Sequence, residues 1–271
     1  MTGEPPLETG WLPTTSDGDT LLRRYLLNLA DSTAAITRSL GGRERRDERF
    51  ALADAGRPAG FASSGLLLQP VVDDAVAETL AEVAHFYGFG SDEVRGEVTL
   101  FSPWPTPDLR PHGWHLVGHP PLHLLPAGAV APPPPAGLRI ERVADEETLA
   151  RWERVAVAAY PFRDLRGFGR GALLGEGILA DDCHRLWLGS VGETDLAAAQ
   201  AHLAHGLTDV LLVATLRQAR RQGYGAAMTW AAVTAEPEQP TMLLSSDDGR
   251  PVYDRMGFLP LSRWTLWYRY R

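Results

Sequence analysis

Apolar positions change their spacing along this chain, and the changes divide it into helices and strands. Leucines and alanines at helical spacing predict a helix over 20–40, whereas the short apolar runs that follow predict strands. The proline-rich stretch 126–137 interrupts this pattern, because successive prolines hold a chain extended. We therefore expect one domain over 1–130 and another over 138–271, joined by a linker at 131–137.

Both halves of the chain alternate strand and helix signals. In the first half, the mixed charges at 43–49 indicate a solvated loop or face, and a hairpin is predicted with its turn at 56–58. The other first-half elements are a predicted helix at 74–87 and predicted strands at 98–101 and 113–125. In the second half the predicted strands are 138–143, 185–191, 196–205, 210–214, 241–246 and 258–270, and the predicted helical regions are 145–160, 165–179, 226–233 and 249–256.

The stretch 208–235 joins an apolar strand to a helix through a turn rich in glycine and arginine. Its run Val210–Ala214 predicts a core strand, and the apolar positions after residue 225 predict a helix with one buried face. Between them, positions 220–225 read Arg-Arg-Gln-Gly-Tyr-Gly. The first turn of a helix has unpaired N–H groups, and glycines let a ligand approach the backbone closely. The turn therefore predicts a site for a phosphate or pyrophosphate.

Two other phosphate-binding loops are excluded by residue type. A P-loop requires a lysine, and all 26 of the Lys+Arg residues in this chain are arginine. A dinucleotide fingerprint requires a small residue three positions after its second glycine, and after Gly225 that position is Met228.

Composition narrows the class of protein further. A net charge of −8 argues against general nucleic-acid binding, and 44% apolar residues can form sizeable cores. The N-terminus carries acid and proline, and no apolar run reaches about eighteen residues, so we expect a cytoplasmic protein without a membrane segment. The single cysteine, Cys183, excludes an intramolecular disulfide. The histidines, His184 included, show no carboxylate or cysteine at metal-ligand spacing, so we expect no metal.

The pattern Arg220-x-x-Gly223-x-Gly225-Ala226 after an apolar strand resembles the coenzyme A pyrophosphate loop of the GNAT-type N-acetyltransferase superfamily. The downstream strand 241–246 and short helix 249–256 continue the resemblance. The sequence Tyr253-Asp-Arg-Met-Gly-Phe258 is similar to the family's tyrosine-x-x-x-Gly-Phe ending. The resemblance covers about the last half of the chain.

This resemblance implies a set of residues that bind acetyl-CoA as co-substrate. The backbone of Val213, Ala214 and Thr215 would pair with the pantetheine arm. The turn would hold the pyrophosphate through N–H groups and arginine; its residues are Arg220, Arg221, Gln222, Gly223, Tyr224, Gly225 and Ala226. Tyr253 matches the family's general acid, because a phenol of pKa about 10 stays protonated at neutral pH and can donate to a departing thiolate.

The implied reaction is direct attack of a primary amine on the thioester, with a small molecule or a peptide as the acceptor. The general base stays open among five residues, which are Asp209, His202, His205, Glu193 and Glu141. The alternative interpretation is a catalytically silent acyl-CoA-binding regulatory module. Both a monomer and a homodimer are compatible with the sequence.

The two halves of the chain align without a gap at an offset of 144 residues, which places Gly257 on Gly113. The register holds over about 55 residues and indicates an internal duplication. The residues that would hold or use acetyl-CoA are missing from the first copy: Val76, Thr79, Ala81 and Leu109 stand where the second copy has Arg220, Gly223, Gly225 and Tyr253. We therefore predict an α/β (α+β) protein of two GNAT-like domains, each a mixed, mostly antiparallel sheet flanked by helices, with a degenerate first domain.

Overall fold

A computed structural model of the chain describes residues 20–57, 63–90, 96–160, 165 and 169–270. Within these residues the helices are α1 (Leu21–Ser39), α2 (Val76–Tyr87), α3 (Glu146–Ala159), α4 (Tyr224–Val233) and α5 (Arg250–Met256). The strands of the first half are β1 (Arg43–Arg46), β2 (Phe50–Asp54), β3 (Ser63–Leu67), β4 (Glu97–Ser102), β5 (His115–Gly118) and β6 (Pro121–Leu125). Those of the second half are β7 (Leu138–Arg142), β8 (His184–Val191), β9 (Thr194–Ala204), β10 (Leu207–Thr215), β11 (Thr241–Leu244), β12 (Leu259–Arg263) and β13 (Thr265–Tyr270).

Local signals fix the ends of the predicted helices. The Thr20 hydroxyl accepts from the backbone N–H of Arg23 at 3.1 Å and begins α1. Asp145 and Thr148 form a reciprocal capping box at the start of α3. Gly88 ends α2 with a φ of 67°, in the left-handed region that glycine adopts without strain.

Two predicted elements differ from the structure, and a third is confirmed in part. Residues 43–46 present the expected solvated, charged face, but they form it as the edge strand Arg43–Arg46 and not as a loop, with ion pairs such as Arg45 with Glu82 at 2.6 Å. The described part of 165–179 has only a short 3₁₀ segment beginning at Glu176, since glycines interrupt the apolar pattern there. The single strand predicted at 258–270 breaks at Trp264 into β12 and β13. The predicted hairpin is present as β2 and β3, although residues 58–62 of its connection lie outside the described residues.

The strands form two mostly antiparallel sheets flanked by helices. Sheet A has six strands in the order β1-β2-β3-β4-β13-β5, and sheet B has seven in the order β12-β6-β11-β10-β9-β8-β7. Each sheet contains one parallel pair, β3 with β4 and β10 with β11. The predicted fold class is confirmed.

The last strands of the two halves are exchanged between the sheets. β6, from the first half, lies between β11 and β12, and β13, from the second half, lies between β4 and β5. The 144-residue offset places Thr265 on Pro121, so the two exchanged strands are equivalent copies. The linker at 131–137 therefore separates two halves of the sequence but not the two sheets, because each half contributes one strand to the other's sheet.

Helix α1 packs between the sheets and joins their cores. It contacts β2 and β3 on one side and β9 and β10 on the other. Buried Tyr25 meets buried Trp264 edge to face, with 5.5 Å between ring centroids. The side-chain amide of Asn28 donates to the backbone oxygens of Ala204 (2.9 Å) and Leu207 (3.3 Å), which fixes the helix to the β9–β10 turn. Among the described residues, the helices lack the length and apolar character needed to span a bilayer.

Candidate functional site

Sheet B opens between its parallel strands β10 and β11. The two strands pair over only two residues, ending with Asp209 opposite Met242, although β10 continues to Thr215. The pairing of β10 with β9 also shifts register at Leu211, and a bulge of this kind bends a strand and increases its twist. The segment Val213–Thr215 therefore borders an opening on the side that faces β11.

The equivalent strands of sheet A do not open in this way. The pairing of β3 with β4 runs from Ser64 to Leu66, and β3 ends at Leu67. Within its described residues, the first half thus provides no comparable length of unpaired parallel edge.

The turn after β10 brings a helix N-terminus to the mouth of the opening. Gly223 is the N-cap of α4 with a φ of 81°, and no side chain caps the helix there. Arg221 also has a positive φ of 66°, a conformation that is strained for a residue with a Cβ and that often marks a functional turn. A Cβ on Gly225 would lie 3.4 Å from the Thr215 hydroxyl, so the first turn of α4 lies beside the end of β10.

Arg220 braces this turn. Its Nε donates to the backbone oxygen of Thr215 at 3.2 Å, and a terminal nitrogen donates to the backbone oxygen of Ala159 at 3.1 Å. The side chain therefore links the turn to β10 and to the end of α3. Gln222 accepts a hydrogen bond from the Tyr224 hydroxyl at 3.0 Å, while the side chain of Arg221 is exposed.

Tyr253 reaches the same turn from α5. It is hydrogen-bonded to the side chain of buried Thr229, whose hydroxyl donates to the Gly225 carbonyl at 3.0 Å. Burial, with a smaller contribution from Tyr160, raises the pKa of Tyr253 well above its ordinary value. The phenol is therefore protonated at neutral pH and can act as a proton donor.

Tyr160 is a residue that the sequence analysis missed. Burial raises its pKa, and its hydroxyl receives a hydrogen bond from the backbone of Val213. Its interaction with Tyr253 places both phenols near the opening. It lies just after α3 and belongs to no recognisable motif, so only the folded chain reveals it.

The strand exchange also brings a first-half residue to Tyr253. His123 lies on β6 and is fully buried, with its ring centroid 6.1 Å from that of Tyr253. Its Nε2 lies 3.8 Å from a carboxylate oxygen of Asp254. Burial is the main reason why the pKa of His123 is lowered, so the ring is neutral at pH 7. Phe258 packs against the other side of Tyr253, with 5.6 Å between centroids.

The five candidate bases are dispersed. Asp209 is fully buried close to Tyr25, and His202 is buried against α1. His205 pairs with Asp31 at 2.6 Å, at the closed end of the β9–β10 hairpin away from Thr215. Two arginines pair with Glu141, at 2.6 Å and 3.0 Å. Glu193 is exposed in the β8–β9 turn, at the end of sheet B where β10 terminates.

A separate cleft of 690 Å³ lies on the other side of α4. The proline segment 132–135, strands β7 and β8, and Trp187 and Trp230 form its walls. It meets the turn only at Gly223 and Ala226. Because β7 and β8 lie at the opposite end of the sheet from β11, this cleft is distinct from the opening.

Comparison with solved structures shows which fold this is. The chain is similar to a GCN5-related N-acetyltransferase from Kribbella flavida, at 24% identity over 89% of this chain and 95% of that chain, with a TM-score of 0.62. It is similar to a functionally unknown conserved protein from Staphylococcus epidermidis, at 14% identity over 85% and 94% of the two chains, with a TM-score of 0.62. An acetyltransferase from the GNAT family of Novosphingobium aromaticivorans matches at 17% identity over 88% and 96%, with a TM-score of 0.54.

These similarities establish a two-domain GNAT-like fold. Their sequence identities are too low to carry an activity from one protein to another. No protein-family model matches the chain, and no curated protein matches its sequence.

Proposed function

We propose that this protein is an acetyl-CoA-dependent N-acetyltransferase whose second half binds the cofactor. One observation carries the proposal: β10 separates from β11 after Asp209 and leads directly into the Arg220–Ala226 turn and the uncapped start of α4. An extended arm lying along β10 would therefore end at a helix N-terminus suited to an anion.

Each part of acetyl-CoA has a matching surface. The pantetheine arm would pair with Val213–Thr215 as an added strand, using main-chain hydrogen bonds. The pyrophosphate would accept from the N–H groups of Arg221–Ala226 at the positive end of α4. A charge at a helix terminus contributes only about 0.3–1 kcal/mol, so several such donors are required. Arg220 would act by holding the turn in place, because its Nε and one terminal nitrogen donate to the backbone oxygens of Thr215 and Ala159.

The proposed reaction follows from the position of the Tyr253 phenol. The amine nitrogen attacks the thioester carbonyl carbon, the C–S bond breaks, and Tyr253 gives its proton to the departing thiolate. The attacking amine loses a proton to water or to a side chain. The acceptor is a primary amine of a small molecule or a peptide.

The first half is proposed to be degenerate and to bind no cofactor. Its equivalent helix, α2, is preceded by Asp73 and Asp74 and has Glu78 in its first turn. Negative charge at that position repels a pyrophosphate, whereas the second half has arginines there. The closed β3–β4 pair gives no place for the pantetheine arm. The first half would contribute instead through its exchanged strand, which places His123 beside Tyr253.

A silent acyl-CoA-binding module is the second candidate, and Tyr160 is the observation that favours it. The hydroxyl of Tyr160 receives a hydrogen bond from the backbone of Val213. Val213 lies where the thioester would need to bind. An active enzyme must accommodate acetyl-CoA beside this phenol or displace it.

Amine-dependent release of the free thiol distinguishes the two candidates. The full chain is incubated with acetyl-CoA and a panel of amines that includes polyamines, amino sugars and peptide N-termini, and the thiol is measured with a chromogenic disulfide. The enzyme proposal predicts release that depends on one class of amine. Tight binding of acetyl-CoA without amine-dependent release by any member of the panel would favour the silent module.

A further inference from the structure

Three side chains with metal-binding atoms meet where α1 crosses the β8–β9 hairpin. Asp181 lies in the turn before β8, His184 is the first residue of β8, and His202 is the direct cross-strand partner of His184 in β9. One ligand atom from each residue lies within 4.8 Å of the other two. The expectation that His184 has no carboxylate partner is wrong, because Asp181 Oδ2 lies 3.0 Å from its Nδ1.

Helix α1 fixes the proton of His202. The side-chain nitrogen of Asn28 donates to backbone oxygens, including that of Ala204 at 2.9 Å, so its Oδ1 is the atom that accepts. His202 Nδ1 lies 2.7 Å from that oxygen and must donate to it. The other ring nitrogen, Nε2, then presents a lone pair, which is the form that binds a metal.

His184 is held by α1 in a similar way. Its Nε2 lies 3.2 Å from the Ser32 hydroxyl, and its Nδ1 faces Asp181. In protein metal sites, a ligating histidine is generally oriented through a hydrogen bond of its second ring nitrogen. Here both histidines have such a partner, and both partners come from the same helix.

The order Asp181–His184–Ser32 is also that of a hydrolase triad, but the position of Ser32 excludes this role. Ser32 lies within α1 and is 0% exposed, so a substrate carbonyl cannot approach its hydroxyl. Ser32 serves to orient the imidazole.

We propose that Asp181, His184 and His202 bind one divalent transition-metal ion, with Zn²⁺ as the best match. Imidazole nitrogens and a carboxylate oxygen are the donors that Zn²⁺ accepts at sites with three protein ligands. The Asp181 side chain is 29% exposed and gives the ion a path from solvent. The bound ion ties β8 and β9 to α1 through Asn28 and Ser32. The cluster contains none of the residues proposed to hold acetyl-CoA, so the effect expected of the ion is on the stability of the fold.

The test uses the full chain without a histidine tag, first freed of metal with EDTA. Zn²⁺ is titrated by calorimetry, and Co²⁺ is titrated by visible absorption, because nitrogen-bound tetrahedral Co²⁺ has intense d–d bands. We expect one ion per chain and a Tm that rises with free Zn²⁺, as binding to the folded state requires. Ser32→Ala should weaken binding about 10–100-fold, the usual effect of removing a partner that orients a ligand.

Two variants each remove a proposed ligand, and a third variant serves as a control. Asp181→Asn keeps the shape of the side chain and is expected to fold, whereas His202→Gln removes a buried ring nitrogen; both should abolish the Co²⁺ bands. His205→Gln alters a histidine outside the cluster and should bind as the wild type does. Absence of binding by the wild type would overturn the proposal, and so would equal binding by Asp181→Asn and the wild type, which would indicate an adventitious ion only.

Discussion

Replacing Gly223 by alanine tests whether the turn needs its left-handed backbone. The φ of 81° lies in a region that costs an L-residue roughly 1–2 kcal/mol, and the new Cβ would lie 3.2 Å from the Pro135 ring. That contact is tight enough to require a small shift of the proline segment. We therefore expect a loss of about 1–2 kcal/mol. For a chain of this size, 1 kcal/mol changes Tm by about 2–4 °C, so Tm should fall by roughly 2–8 °C.

Gly225→Ala is the matched control, because Gly225 lies in the first turn of the helix that Gly223 caps. Its Cβ would meet the Thr215 hydroxyl at 3.4 Å, an ordinary contact, and no positive φ is required. Alanine is favoured over glycine in a helix by up to about 1 kcal/mol, so Tm should stay the same or rise. Thermal unfolding without ligand, followed by circular dichroism, compares the two variants. Equal Tm values would refute the turn geometry on which the proposed pyrophosphate site depends.

Three further changes probe the remainder of the account. Tyr253→Phe keeps the ring against Phe258, so the affinity for acetyl-CoA should be nearly unchanged. The rate with a competent amine should fall about 10²–10⁴-fold, because the proton donor is lost. An unaltered rate in steady-state kinetics would reject the acid role. A chain that starts at Ala136 lacks β6, and the loss of this strand leaves a gap between β11 and β12. The shortened chain should therefore be insoluble or unfolded. If it binds acetyl-CoA as the full chain does, that result would contradict the strand exchange. Burial raises the pKa of Asp209 well above its ordinary value, so the fold favours the protonated carboxyl and wild-type stability falls as pH rises above about 4. Asp209→Asn should flatten this slope in urea unfolding between about pH 4 and 7, and identical slopes would show that the buried carboxyl is not protonated.

Local sequence signals were sufficient for the elements that carry the candidate site. The cap at Asp145, the glycine at position 223 and the apolar run before it depend on neighbouring residues only, so the helices and the turn follow from the sequence. Tyr253 could be selected because the family's tyrosine-x-x-x-Gly-Phe ending, which it resembles, lies within one short segment of sequence. Its position beside the turn depends on its hydrogen bond with Thr229, and this contact could be identified only in the folded chain.

The exchange of β6 and β13 could not be predicted from the same signals. The two strands are equivalent copies at the same offset, and each pairs antiparallel with the other half's counterparts of the neighbours it would have had in its own half. Nothing in their apolar pattern distinguishes one sheet from the other. Trp264, which lies between β12 and β13, is buried and packs its ring against Tyr25 of α1.

Contacts between residues that are far apart in the sequence could not be predicted either. His184 meets His202 only because the register of β8 and β9 places them opposite each other. Tyr160, at the end of α3, contacts Val213 of β10. Such pairs depend on register and packing, whereas periodicity in a single sequence reports only which face of an element is buried.

The central claim is that the chain binds acetyl-CoA once, at the turn before α4. Calorimetric titration of the full chain with acetyl-CoA should give one site per chain. Gly223→Glu should abolish binding while leaving a folded protein, because it adds a negative charge at the start of α4, where the pyrophosphate would bind. Two equivalent sites, no binding by the wild type, or unchanged affinity in a folded Gly223→Glu variant would contradict the claim.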